Sequence, residues 1–215
     1  MGITTYSEPG ITFPVTAVRG LSTTMDDLMH GIDLTLTILK AEANFVGAKP
    51  LVIGGAAVAF HGCRSDTADR DVLLDKGDAD RILSRLRLSQ EWTVVDARGF
   101  ICKDSQVFLD IKVTGDPLGV DSPVMFPSPH SLNSANELFE NLRVIELDDL
   151  IVLKLLAGRM RDLADVMELC KRRMKDVDVD RIFSRLRPLK YKLCDAFLDI
   201  LDNAPIELEN ERRIG

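Results

Sequence analysis

The sequence predicts an α+β fold, α/β-like in its alternation of elements, with a small mixed β-sheet flanked by helices and a C-terminal helical region. Three observations carry this expectation. Short apolar runs of strand character alternate with helical periodicity between Met25 and Val113. A proline-rich connection, with Pro117, Pro123, Pro127 and Pro129, then breaks the pattern. Beyond it, the remaining apolar stretches carry helical spacing.

Residues 1–24 mix Gly, Pro, Ser and Thr with short apolar pieces such as Ile11-Thr12-Phe13, which predicts a loop or edge segment. From Met25 to Phe45, apolar positions at Met25, Leu28, Ile32, Leu36, Leu39 and Ala43 recur every three or four residues, and Thr24 is placed to cap the helix they predict. Pro50 stops it. Leu51-Val52-Ile53 then reads as a short buried strand running into Gly54-Gly55, followed by a small-residue helix over 56–62 with Gly62 as its C-terminal cap. Strands are expected at Asp69–Leu74, near Trp92–Val95 and at Val107–Val113, with a helix over Asp78–Leu88 between the first two. After the prolines, helices are expected at Leu147–Ala157, Arg161–Arg173, Asp180–Leu186 and Leu189–Leu201. The expected division is a terminal segment 1–24, a core 25–130 and a helical region 131–215.

The 215 residues suit one large domain, or one domain with a helical appendage, and their composition is that of an ordinary globular protein. The formal net charge of -7 repels phosphate backbones as a whole, so nucleic-acid contact would need a locally basic surface. One candidate exists at 171–192, where Lys171, Arg172, Arg173, Lys175, Arg181, Arg185, Arg187, Lys190 and Lys192 face only Asp176, Asp178 and Asp180. It reads either as solvated helix faces or as a polyanion contact. Cys63, Cys102, Cys170 and Cys194 form no CxxC pair, which points to reduced thiols and a cytoplasmic location. No signal-peptide pattern and no apolar run of membrane-spanning length is present, so no membrane partner is expected. His30, His61 and His130 share no catalytic or metal-ligand spacing, and His61, beside Gly62, reads as a structural or substrate-edge residue.

Chemistry is concentrated elsewhere. Asp69 and Asp71, two apart on a predicted strand, point to one face with backbones about 6.6 Å apart, close enough to share a divalent ion. Arg70 points the other way. Asp110 lies inside the apolar run Val107-Phe108-Leu109-Asp110-Ile111, where a carboxylate is costly unless paired or bound to a cation. Three converging acids repel one another, and a divalent ion removes that penalty. Magnesium suits hard oxygen ligands and substrate phosphates, with manganese as its substitute. Gly54 and Gly55 read either as a plain strand-to-helix turn or as a backbone bare enough for a triphosphate to approach.

Gly54-Gly55, Gly62, Arg64, Thr67, Asp69 and Asp71 together resemble the signature of the DNA polymerase β-like nucleotidyltransferase superfamily: a glycine turn, then Arg, Thr and a D-x-D pair. The segment Leu147–Asp165 is similar to the helical part of its AbiEii-like branch, which includes toxins of toxin–antitoxin pairs. The resemblance covers roughly residues 50–170. It implies a nucleotidyltransferase core in which Asp69 and Asp71 hold the metals and Asp110 is the third carboxylate, near the acceptor hydroxyl. It also implies Gly54 and Gly55 beneath the triphosphate of a nucleoside triphosphate such as ATP, Arg64 and Thr67 supporting the phosphate-side loop, Lys154 as a cation on phosphate and Asp165 as an acid near the acceptor. Lys154 reads equally as a residue whose stem lies along an amphipathic helix. The sequence departs from the family at Arg70, where an apolar residue is usual, and in the spacings from Arg64 to Thr67 and from Lys154 to Arg159.

The expected function is therefore metal-dependent transfer of a nucleoside monophosphate to a hydroxyl acceptor on RNA, protein or a small molecule, with pyrophosphate released. The alternatives are a non-catalytic nucleotide-binding or regulatory module of the same fold, and a toxin-type enzyme modifying tRNA.

Overall fold

Apolar strands that alternate with helices can bury both sheet faces only by placing helices against them, and the chain does so. The computed structural model describes residues 26–63, 67–119, 123–139, 142–189 and 191–203. The elements run α1 (Asp26–Val46), β1 (Leu51–Ile53), α2 (Gly54–Phe60), β2 (Asp69–Leu74), α3 (Lys76–Leu88), β3 (Trp92–Val94), β4 (Gly99–Cys102), β5 (Phe108–Val113), β6 (Ser134–Phe139), β7 (Leu142–Ile145), α4 (Leu147–Ala157), α5 (Met160–Arg173), α6 (Val179–Leu186) and α7 (Tyr191–Asn203). The expected segment 1–24, with its Thr24 cap, lies outside the described residues.

The fold is α+β, with one mixed sheet in the order β3-β4-β5-β2-β1-β7-β6. Pairs β2/β5 and β1/β7 are parallel, while β1/β2, β3/β4, β4/β5 and β6/β7 are antiparallel. Among the described residues, seven strands exceed the small sheet read from sequence, because β4, β6 and β7 were not among the expected strands. β6 and β7 fall inside the stretch read as helical, and β7 occupies a central place beside β1. Three helices are displaced by two residues at one or both ends, the others by one at most. α2 begins at Gly54, α3 at Lys76, and the last helix spans Tyr191–Asn203.

α1 and α3 pack on each other and on β2 and β5. They bury Leu36, Leu39 and Ala43 from α1 and Ala79, Ile82 and Leu86 from α3, at spacings of three or four that place each set on one helix face. Each fully buried leucine or isoleucine contributes about 1.5–3 kcal/mol relative to exposure. α4 is different, since every residue from Leu147 to Leu155 is buried. It is the central helix of the C-terminal group, packing on α2, α5, α6 and α7. Gly158 ends it in the left-handed region at φ 64°, its N–H donating to the Lys154 carbonyl at 3.0 Å. Gly62 (φ 80°) follows α2 as the sequence leads one to expect, donating to the Ala59 carbonyl at 2.9 Å. Among the described residues no helix is long and apolar enough to cross a membrane.

Candidate active site

Strand register assembles the acids. In the parallel pair β2/β5, Asp71 stands opposite Asp110 and Asp69 opposite Phe108, so the three aspartates share one sheet face. Ile53 stands opposite Asp71 on the other side, which brings Gly54, the next residue, to the same carboxylate. Asp69, Asp71, Asp110, Gly54, Gly55, Thr67, Lys154 and Asp165 all line a single cleft of about 530 Å³ between that face and the α4–α5 corner. Arg64 lies outside the described residues.

Both glycines have a steric role. Gly54 has φ 63°, and a β-carbon there would lie 2.0 Å from Asp71 Oδ2. A β-carbon on Gly55 would lie 2.6 Å from Thr67 Oγ1. The turn is thus bare so that Asp71 and Thr67 can lie directly on it. Thr67 in turn orients Asp69, its hydroxyl lying 3.0 Å from both the Asp69 carbonyl and Asp69 Oδ1. Arg70, buried on the opposite face, donates to the carbonyls of Thr67 at 2.8 Å and Asp69 at 3.1 Å. Arg70 therefore fixes the approach to β2.

The electrostatics follow from the crowding. Asp71 is pushed up to about 6, first by burial and then by the negative charge of Asp69 and, more weakly, Asp110, with Lys112 and Lys154 opposing. Two residues missed in the sequence reading matter here. Lys112 donates to Asp110 Oδ2 at the cleft wall. Asp162 joins Lys154, whose ammonium donates to Asp162 Oδ1 at 3.1 Å and Asp165 Oδ2 at 2.7 Å. Arg159 Nε reaches Asp162 Oδ2 at 2.6 Å. Burial works against ionisation of Asp162, yet the hydrogen bonds and charges of Arg159 and Lys154 hold its carboxyl below the usual carboxylate range. Lys154 is thus neither snorkelling nor open to a phosphate as placed, for its side chain is 7% exposed and held by two carboxylates. Arg159 and Arg161 are the exposed cations at the same end of the cleft.

The donor set can be weighed against a divalent ion. Asp69 and Asp71 offer hard oxygens on one face of an open cleft, and the repulsion on Asp71, only partly offset by Lys112 and Lys154, is what a cation would remove. Asp110 fits as a third ligand only after leaving Lys112. As placed, no three His, Cys, Asp or Glu side chains among the described residues form a group able to hold a metal.

Four arginines of the basic run have acidic partners within the chain. Arg181 pairs with Glu146 at 2.9 Å and Asp148 at 3.3 Å, and Arg185 with the fully buried Asp149 at 2.9 Å. Arg172 pairs with Glu168, and Arg173 with Asp176 at 2.8 Å and with the His61 carbonyl at 3.0 Å. Arg173, Arg181 and Arg185 thereby join α5 and α6 to their surroundings, while the Arg172 pair lies within α5. His61 is a structural residue, its Nε2 lying 2.9 Å from the Ile145 carbonyl.

No protein-family model matches the chain, and no curated protein matches it. Among solved structures, the chain is similar to ANT(2")-Ia in complex with adenylyl-2"-tobramycin, at a TM-score of 0.47 and 11% identity over 78% of this chain and 98% of that chain. It is also similar to the solution structure of the antibiotic-resistance factor ANT(2'')-Ia, at a TM-score of 0.47 and 13% identity over 80% of this chain and 94% of that one.

Proposed function

We propose that the chain is a nucleotidyltransferase of the polymerase β-like kind, of the AbiEii-like branch, working in a reducing, cytoplasmic compartment. One observation carries the proposal. Three aspartates from two paired strands share one sheet face beside a glycine turn, in a cleft large enough for a nucleotide.

In this reading Asp69 and Asp71 hold magnesium or manganese, with Asp110 as third ligand once Lys112 releases it. The ion supplies charge stabilisation on the phosphate oxygens. Thr67 keeps Asp69 aimed into the cleft, and Gly54 leaves room for Asp71. Arg159 and Arg161 meet the triphosphate, a task the family resemblance assigns to Lys154. Lys154 and Asp165 instead brace the α4–α5 corner with Asp162. The acceptor oxygen attacks the α-phosphorus, the bond to the β-phosphate oxygen breaks, and pyrophosphate leaves. The hydroxyl proton passes to the carboxylate at Asp110.

Incubation with labelled nucleoside triphosphates, magnesium and a crude lysate tests this. Label should enter RNA, protein or a small molecule with stoichiometric pyrophosphate, and Asp69→Asn or Asp71→Asn should abolish both without unfolding the chain. Equal turnover in wild type and Asp71→Asn would end the proposal. A second reading, a nucleotide-binding or regulatory module without catalysis, is favoured by the ion pair that engages Asp110. Nucleotide binding without pyrophosphate release would establish it.

A further inference from the structure

The cleft contains two lysines in opposite situations. Lys154, 7% exposed, is fixed between Asp162 and Asp165. Lys112 is 32% exposed and bonded to one carboxylate, Asp110, itself 30% exposed. A pair so open to water is weak and exchanges partners readily, whereas a buried one does not. Position adds to the contrast. Lys112 is two residues after Asp110 on β5, so both project from one face, and Asp71 stands beside Asp110 in the adjoining strand. The only cation bonded to the three-aspartate face among the described residues is therefore the one on this labile side chain.

We propose that Lys112 is a resident counter-cation, holding Asp110 when no divalent ion is bound and competing with that ion for the same carboxylate. This rests on the cation-binding role proposed above for Asp69 and Asp71. It gives Lys112 a positioning function. The ammonium keeps three like charges together on one sheet face, and its single exposed bond makes Asp110 available when a stronger cation arrives. The strength of the Lys112 pair then sets the ion concentration at which the site fills.

The test is Mn²⁺ binding by the full chain, measured by calorimetry and by electron paramagnetic resonance without nucleotide. Lys112→Met should bind Mn²⁺ about fivefold more tightly than wild type, the competing cation being gone. Lys112→Arg keeps the charge and should stay within about twofold of wild type, which a loss of packing alone would not explain. In chelator, Lys112→Met should melt below wild type, and Mn²⁺ should close that gap. Lys112→Gln repeats the comparison if the methionine variant does not fold. Asp71→Asn separates the two levels of the argument. If it loses Mn²⁺ binding while Lys112→Met and Lys112→Gln match wild type, the counter-cation role is wrong and the cation site stands. If Asp71→Asn binds Mn²⁺ as wild type does, both are wrong.

Discussion

The Asp71 carboxylate rests on the Cα of Gly54, so closely that the glycine hydrogen is the largest substituent the turn accepts. Gly54 also holds φ 63°, a conformation that costs an L-residue about 1–2 kcal/mol. Gly54→Ala should therefore destabilise the chain by about 2–4 kcal/mol in urea unfolding and displace Asp71. Mn²⁺ binding should be lost with it. An alanine variant with unchanged stability and affinity would mean that the turn has slack.

Asp71 should make stability fall with pH in the absence of metal. Its folded value, about 6, lies above its ordinary one, so the folded state holds the proton more tightly. The resulting contribution is complete below about pH 4 and lost as pH rises through about 6. Its size is about 2–3 kcal/mol. Asp71→Asn, which cannot ionise, should be the more stable protein at pH 7.5 in chelator, and the advantage should vanish near pH 4. Thermal melts across that range would show a constant difference if Asp71 ionised normally.

Lys154→Met should be costly wherever catalysis stands. Removing the ammonium takes the buried cation shared by Asp162 and Asp165, both themselves buried, and breaking such a buried pair costs about 3–5 kcal/mol. Urea unfolding is the measurement. A lysine serving only as a phosphate ligand would be replaced with little effect on stability.

Arg185 and Arg181 give a fourth expectation, which bears on nucleic-acid contact. Asp149 is wholly buried, with its carboxylate facing Arg185 at 2.9 Å and Arg181 at 3.6 Å and accepting the Asn133 N–H at 2.7 Å. Arg185→Glu should lower stability by more than about 3 kcal/mol, through repulsion against a charge that has no access to water. Lys192→Glu, at an exposed position of α7, should stay within about 0.5 kcal/mol. Similar small effects at both positions would return the run to the role of a solvated face.

The strands and helices that follow their own periodicity were readable from residues alone. Asp69 and Asp71 could be placed on one face because a period of two is local, and the glycine turn because a bare backbone admits close approach, whereas the place of Asp110 beside them depends on the register of β2 with β5. What escaped depends on partners distant in sequence. β7, Leu142-Arg143-Val144-Ile145, runs with only Glu146 between it and the apolar start of α4, so no turn signal separates strand from helix. Lys112 could have been found by the same period-two rule that pairs Asp69 with Asp71. Asp162 shares a helical face with Asp165, but its bond to Lys154 crosses the break at Gly158. Arginine pairing at Asp149 left no local signal.

The place of β7 has a consequence for synthesis. When a ribosome has released residues up to about 140, β1 has its partner β2 on one side and an open row of backbone donors and acceptors on the other. The missing neighbour arrives only with Leu142–Ile145, and the buried helix α4 directly after it. A nascent chain stalled before this point displays an unprotected apolar ribbon, the kind of surface that chaperones shield.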